Sequence, residues 1–364
     1  MILCQLTDLP LRAPGSLAYG RVDANDFFRK AIDELAHLSP APDAYLLTGD
    51  LTDFGRADEY AQLARGIGQL GKPACLLPGN HDERAAMRAA FPAHAHLQGV
   101  LPFIQYRIDL CGLALLTLDT VVPQQSHGIL DSARLDWLRE HLDHTPPTVI
   151  AMHHPPFTTH IAHMDRIGLL EGSADLEALL AGHRNIERIV CGHLHRSIQA
   201  RFANTFASTG PSPAHQVTLD LDPEGPSSFR MEPPGYQLHV WRGGRLVTHT
   251  GVFGTYAGPY PCWGWCPAPP AECRPAAARG CARLHTERRP GTRATQLPRR
   301  LRTQLIHQVR KIGPKNAACS TVCAARSGAR KRCISWRKPV ATSGSSFKLF
   351  RRPSNTAKNS RTGL

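Results

Sequence analysis

The chain has 364 residues, 42% of them hydrophobic and 20% charged, with a formal net charge of +14, a composition able to bury a core and unlike a low-complexity chain. The charge is unevenly placed: residues 1–261 carry 20 Lys and Arg against 27 Asp and Glu, while residues 262–364 carry 23 against 2. The mildly acidic first part therefore lacks the electrostatic footprint of a polyanion binder, and no run of about 18 apolar residues is present to span a bilayer.

Ile2 to Leu6 is a short apolar run that leads to Asp8, which predicts a strand with a carboxylate at its carboxyl end. Leu9 to Val22 contains Pro10, Pro14, Gly15 and Gly20 and reads as a loop over that end. Asp23 to Leu38 sets Phe27, Phe28, Ala31, Ile32, Leu35 and Leu38 at helical spacing, with Asp23 or Asn25 as N-cap. Ala44 to Asp53 is a buried strand that runs straight into Gly49-Asp50; a helix over Ala57 to Leu70 then leads to the strand Ala74 to Pro78 and on to Gly79-Asn80-His81-Asp82. Strand alternating with helix predicts parallel pairing through right-handed crossovers.

Phe103 to Leu110 and Leu113 to Leu118 read as two strands turning at Cys111-Gly112, and Asp131 to Leu142 as a helix packing Leu135, Leu138 and Leu142. Thr148 to Met152 leads into His153-His154. The His- and Met-containing stretch Pro155 to Gly172 is placed to wall a pocket, and Ser173 to Leu180 reads as a helix capped by Ser173. Ile186 to Cys191 then runs into Gly192-His193-Leu194-His195. From Ile198 to Val252 the short runs Gln216 to Leu221, Tyr236 to Trp241 and Arg245 to His249 predict antiparallel strands.

Past Pro261 hydrophobic periodicity stops, which predicts disorder for residues 262–364, a basic tail containing Cys, Arg and Pro. Its Cys262, Cys266, Cys319 and Cys323 lack the spacing of a zinc finger. The abrupt break suggests an out-of-frame or read-through extension beginning near Cys262. Cys4, Cys75, Cys111 and Cys191 lie in apolar runs and read as small buried hydrophobes, which fits a reducing compartment. With no basic, apolar leader at the N-terminus, a cytoplasmic location is expected.

Five strands thus each end in Asp, Asn or His, the residue types that bind divalent metals, at the carboxyl edge where open α/β sheets place their sites. Taken singly, Asp8 is an ordinary turn residue and Asn80-His81-Asp82 an ordinary helix cap. Their joint recurrence is what ordinary turns and caps do not explain.

The ordered set Asp8, Gly49-Asp50, Gly79-Asn80-His81-Asp82, Met152-His153-His154-Pro155-Pro156 and Gly192-His193-Leu194-His195 resembles the calcineurin-like metallophosphoesterase superfamily. Tyr19-Gly20 and Tyr256-Ala257-Gly258-Pro259-Tyr260 make the chain most similar to the branch with bacterial glycerophosphodiesterases and class III cyclic-nucleotide phosphodiesterases, over residues 1–261. The resemblance implies an α/β (α+β) fold, a four-layer αββα sandwich, over that span. It also implies two divalent ions (iron, manganese, cobalt or zinc) that hydrolyse a small phosphodiester, a glycerophosphodiester or 3′,5′-cyclic nucleotide, through a shared hydroxide. By the same resemblance Asp50 bridges the ions, Asp8 and His195 complete one, and Asn80, His153 and His193 complete the other. His81 stabilises the transition state, and Asp82 and His154 support the ligands from behind.

One position departs from the pattern. The first motif, Asp-x-His in the family, reads Asp8-Leu9-Pro10 here, and a proline side chain has no lone pair to donate. The first ion is expected to be weakened; a water or a loop histidine such as His127 or His160 fills the gap, and the sequence does not choose between them. Pro10 also motivates a rival expectation, a catalytically impaired member that binds without turnover. Partners are expected to be the small substrate, with a second copy of the chain as an option, no membrane, and nucleic acid only non-specifically through the tail.

Overall fold

A computed structural model describes residues 1–144 and 146–260; the expected disordered tail, residues 262–364, lies outside the described residues. The first half runs β1 (Ile2–Leu6), α1 (Ala24–Ala36), β2 (Ala44–Thr48), α2 (Ala57–Gln69), β3 (Ala74–Leu77), α3 (Arg84–Ala90), β4 (Tyr106–Leu110), β5 (Leu113–Leu118), β6 (Gly128–Ile129) and α4 (Ser132–His141). It continues with β7 (Thr148–Met152), α5 (Ala162–Asp165), β8 (Leu169–Glu171), α6 (Ser173–Ala181) and β9 (Ile186–Cys191). The antiparallel closing region holds β10 (Gln199–Phe202), β11 (Thr205–Thr209), β12 (Gln216–Val217), β13 (Phe229–Arg230), β14 (Gly235–Arg242) and β15 (Arg245–Val252).

Two main sheets form, in the orders β15-β14-β1-β2-β3 and β10-β11-β9-β7-β5-β4. Within them β1, β2 and β3 are mutually parallel, as are β5, β7, β9 and β11, and β14, β15, β4 and β10 pair antiparallel. The sheets pack face to face through Leu3, Leu46, Cys75 and Leu77 from one and Leu113, Leu115, Val149, Ala151 and Val190 from the other. The outer face of the first sheet carries Cys4, Leu47 and Leu76 against Phe28, Ile32 and Leu35 of α1 and Leu63 and Ile67 of α2. The outer face of the second carries Leu116, Ile150 and Ile189 against Leu135 and Leu138 of α4 and Leu176 and Leu180 of α6. This is the four-layer αββα sandwich of residues Met1–Gly254. Because each central strand is buried on both faces, its sequence is continuously apolar rather than alternating.

Several local expectations shift. Asp23 caps α1, accepting from the Asp26 amide at 3.0 Å, whereas α6 is preceded by Gly172 at φ 82 and Ser173 is its first helical residue. The Ser173 hydroxyl donates to the Pro156 carbonyl at 2.7 Å, so it ties α6 to the loop after β7 and does not cap. The strand expected from Phe103 begins at Tyr106, since the Ile104 amide is taken by the Asp119 carboxylate at 2.8 Å. Cys111 is exposed in the β4–β5 turn at φ 49, unlike buried Cys4, Cys75 and Cys191. Gln216 to Leu221 yields only the two-residue β12, with Leu219 and Leu221 left exposed. No helix of the described residues is long and apolar enough to cross a membrane.

Candidate metal centre

The carboxyl ends of β1, β2, β3, β7 and β9 meet at one edge of the sandwich, and β1, β2 and β9 deliver their residues through sharp reversals. Asp8, Asp50, His193 and His195 all lie at positive φ (55°, 49°, 70° and 53°), a conformation that costs a non-glycine residue about 1–3 kcal/mol and is kept only where surroundings enforce it. Here they do. The Asp8 amide donates to the Gly49 carbonyl at 3.0 Å, the Gly192 amide to the His153 carbonyl at 3.0 Å, and the Ser212 amide to the His195 carbonyl at 3.1 Å. Two glycines make the convergence possible. A Cβ at Gly49, itself at φ 86, would sit 2.5 Å from His153 Nδ1, and one at Gly79 would sit 2.2 Å from Asp50 Oδ1.

Asp8, Asp50 and His153 present ligand-type atoms that lie within 4.8 Å of one another, as do His153, His154 and His193. His153 Nε2 is 3.3 Å from Asp50 Oδ2 and 3.2 Å from Asn80 Oδ1; His195 Nε2 is 3.6 Å from Asp8 Oδ1. Both of these histidines donate Nδ1–H to a backbone carbonyl, His153 to Thr48 at 2.8 Å and His195 to His215 at 3.1 Å, which turns Nε2 toward the carboxylates. Asp8 Oδ2 and His193 Nε2 are buried without a hydrogen-bond partner. A buried carboxylate oxygen and imidazole nitrogen left unpaired are costly, and a divalent cation among these residues satisfies both. The donor set of Asp8, Asp50, Asn80, His153, His193 and His195 therefore fits borderline divalent metals.

The charges point the same way. Burial opposes ionisation of Asp50, yet the neighbouring His153 and His81 hold it well below the usual carboxylate range. Burial likewise opposes protonation of His153, but the Asp50 carboxylate raises it to about 9. Burial raises Asp8 to about 7, with Asp50 adding to the effect. His193 is pushed well below its ordinary value and His195 down to about 4, both chiefly by burial. A proton on His153 thus does part of the work a cation would do, and cation binding displaces it.

Asp82 does not enter the cleft. Its carboxylate accepts from the amides of Leu51 (3.1 Å), Thr52 (3.3 Å) and Gly79 (2.9 Å), the Thr52 hydroxyl (3.1 Å) and the Tyr60 hydroxyl (2.9 Å), clamping the turns that carry Asp50 and Asn80. His154 has both ring nitrogens engaged. The Ser126 carbonyl, at 3.1 Å, can only accept, so Nε2 is protonated and Nδ1 accepts from the Thr120 hydroxyl at 2.7 Å. Its lone pair is therefore already used. His81 is held by its amide on Asp50 Oδ1 (2.9 Å) and by Nδ1 on the Asp53 carbonyl (2.9 Å), and it lines the cleft. Asp50 is the main cause raising His81 to about 10.

The cleft in front of these residues encloses about 380 Å³. Its far wall includes Met164 and Ile167 from the stretch after His153, and an aromatic group in which the Tyr19 ring lies 5.3 Å from His215 and 5.0 Å from Phe229. Neither His127 nor His160 is among its lining residues. Sequence reading did not reach His215 or Phe229, which follow no strand-end motif, nor Asp53, whose Oδ2 also accepts from Arg12 Nε at 2.5 Å. Asp53 stands three residues after Asp50 in an ordinary turn, and only its contact with His81 marks it out.

The sequence profile described as calcineurin-like phosphoesterase matches residues 5–197. A probable glycerophosphodiester phosphodiesterase of Arcobacter nitrofigilis is 34% identical over 270 residues, covering 72% of this chain and 96% of that protein. A glycerophosphodiester phosphodiesterase of Enterobacter lignolyticus is 30% identical, covering 71% and 94%. A cAMP/cGMP dual specificity phosphodiesterase of Mycobacterium tuberculosis is 33% identical, covering 60% and 70%. By profile and by these relatives, the chain belongs to the calcineurin-like phosphoesterase family.

Proposed function

We propose that this chain hydrolyses a small phosphodiester, a glycerophosphodiester or a 3′,5′-cyclic nucleotide, at a centre of two divalent ions. The observation that carries the reading is the buried, unpaired pair of donors, Asp8 Oδ2 and His193 Nε2, at the meeting of five strand ends, where His193 lines the cleft. Asp50 with Asp8 and His195 would hold one ion, and Asp50 with Asn80, His153 and His193 would hold the other. The bound ions supply Lewis-acid charge and lower the pKa of water. His81, anchored through Nδ1, turns Nε2 to the cleft, where it stabilises charge on the phosphoryl group and assists the leaving oxygen. Asp82 and His154 keep the ligands in place from behind. Because the lining carries no Lys or Arg, the protein offers little beyond His81 to a second phosphate charge, which suits a monoanionic diester better than a dianionic monoester.

Residues 1–261 form the enzyme on this reading, in a cytoplasmic setting, and residues 262–364 are an extension without a part in the chemistry. Pro10 favours a second reading, in which the first ion is too weak for turnover and the chain binds ligand only. One assay separates them. The purified chain, stripped by chelation and reloaded with manganese, zinc, cobalt or iron(II), is offered a chromogenic diester, a glycerophosphodiester and cyclic AMP. Metal-dependent release of product supports the enzyme; retention of ligand with no turnover under any metal supports the binding protein.

A further inference from the structure

Beneath the metal centre, between the two sheets, lies a buried polar relay built on Gln5 and His239, each 1% exposed. Gln5 is on β1, three residues before Asp8. Its Nε2 donates to the Thr48 hydroxyl at 2.8 Å and to the Cys191 carbonyl at 2.9 Å. A backbone carbonyl can only accept, so the amide orientation is settled by Cys191. Gln5 Oε1 must then face His239 Nε2, 3.0 Å away, and accept from it. His239 Nδ1 in turn accepts from the Thr248 hydroxyl at 2.8 Å. One donor and one acceptor are what a neutral imidazole has, so every polar atom of this unit outside the hydroxyls has its direction fixed.

The two acceptors of Gln5 occupy equivalent places in the site. Thr48 is two residues before Asp50, at the end of β2, and Cys191 is two residues before His193, at the end of β9, in the opposite sheet. The Thr48 carbonyl also accepts Nδ1–H of His153, at 2.8 Å, and so sets that ring's tautomer. A single side chain therefore spans the inter-sheet space and touches the segments that deliver Asp50 and His193, and through Thr48 the ring of His153. Beside the apolar inter-sheet core of Leu, Val, Ala and Cys75, a polar group is costly unless fully paired. It is paired, and to these two segments.

We propose that Gln5 is a positioning residue for the metal centre: by fixing the ends of β2 and β9 across the two sheets, it sets the spacing of Asp50, His153 and His193. This rests on the metal-centre reading above. The test uses the full chain, stripped of metal, with manganese and zinc affinities measured by competition against a chromophoric chelator, and the zinc-loaded chain, in which the His153 Nδ1–H bond to the Thr48 carbonyl is read from ¹H and ¹⁵N chemical shifts. Gln5→Met keeps length and volume but loses the amide. It is expected to weaken the tighter ion about 10- to 100-fold, the range for groups that orient metal ligands from outside, and to shift the His153 Nδ1–H resonance away from its position in the unaltered chain. Gln237→Met serves as the comparison. Gln237 is equally buried in the same region, but its amide donates to Ser197 (3.3 Å) and the Thr209 carbonyl (3.2 Å) and reaches none of the ligand-bearing ends; its affinity should stay within about twofold of the unaltered chain.

Equal affinity loss in Gln5→Met and Gln237→Met, or none in Gln5→Met, overturns the proposal. If Gln5→Met fails to fold, Thr48→Val decides: it removes one partner of Gln5 with little change of shape and should still weaken the ion about tenfold, so an unchanged affinity there overturns the proposal as well. An unaltered chain that binds no ion overturns the metal-centre reading itself, and this inference with it.

Discussion

Replacing Pro10 by histidine gives a direct measure of how unequal the two metal positions are. Position 10 is buried, and its neighbours are fixed: the Leu9 amide donates to the Asp50 carbonyl at 2.8 Å, and Leu11 bridges to Thr52. Position 10 thus lies between two residues tied to the turn that carries Asp50. Groups that merely orient a ligand change metal affinity about 10- to 100-fold, so a restored ligand should strengthen the first ion at least that much, about 1.4–2.7 kcal/mol. Without metal the sign reverses. Losing proline costs about 0.4–1 kcal/mol through the unfolded chain, and a buried imidazole without a partner costs about 1–3 kcal/mol more. The variant should therefore melt below the unaltered chain when stripped and gain more on adding manganese. Asp8 supplies a pH signature. Burial, reinforced by Asp50, raises it to about 7, and a protonated carboxyl does not ligate, so the first ion should bind more weakly as pH falls through about 7. Thermal melts with and without manganese, and competition titrations from pH 6 to 8, give both quantities. Two equally tight ions in the unaltered chain, together with no gain on restoring histidine, would show that another residue already supplies the ligand and that the reasoning from Pro10 is wrong.

Asp50→Ala should lower diester hydrolysis by more than about 10³-fold, since it removes the bridging carboxylate and the charge holding the protons on His153 and His81; a loss under tenfold contradicts a two-metal centre. His81→Ala should cost about 10²-fold in kcat while leaving metal content unchanged, and a parallel loss of metal would instead make His81 a ligand. Chelation should abolish turnover and reloading should restore it, with release of protons on reloading near pH 7 because His153 gives one up; calorimetry in buffers of different ionisation enthalpy counts them. A chain ending at Pro261 should keep full activity and thermal stability, and loss of either would make residues 262–364 part of the enzyme.

Most of the donor set was legible before any contact was known. A strand buried on both faces must be apolar throughout, so β1, β2, β3, β7 and β9 stand out as short runs, and a glycine or turn at their ends marks where the next polar side chain emerges. That rule marks Asp8, Asp50, Asn80, His153 and His193 as polar residues near strand ends, and the family resemblance adds His195 and the ligand roles proposed for all six. The resemblance carried by these motifs extended it to the αββα sandwich. The sequence alone also exposes the missing donor at Pro10, since no fold can give a proline a lone pair.

Contacts between residues distant in the chain leave no such mark. Asp53 reads as a turn residue until His81 is found on its carbonyl, and His215 and Phe229 join Tyr19 at the cleft only because the closing strands bring them back across the site. Ser173 looks like a cap but is drawn to the Pro156 carbonyl 17 residues away. The relay of Gln5 and His239 joins residues 234 positions apart, because β14 inserts antiparallel beside β1. Periodicity and capping are local, so the chain announces its strands and the residues that end them; which strand lies beside which is decided by burying both sheet faces at once, and only that placement determines what supports the metal ligands and what walls the cleft.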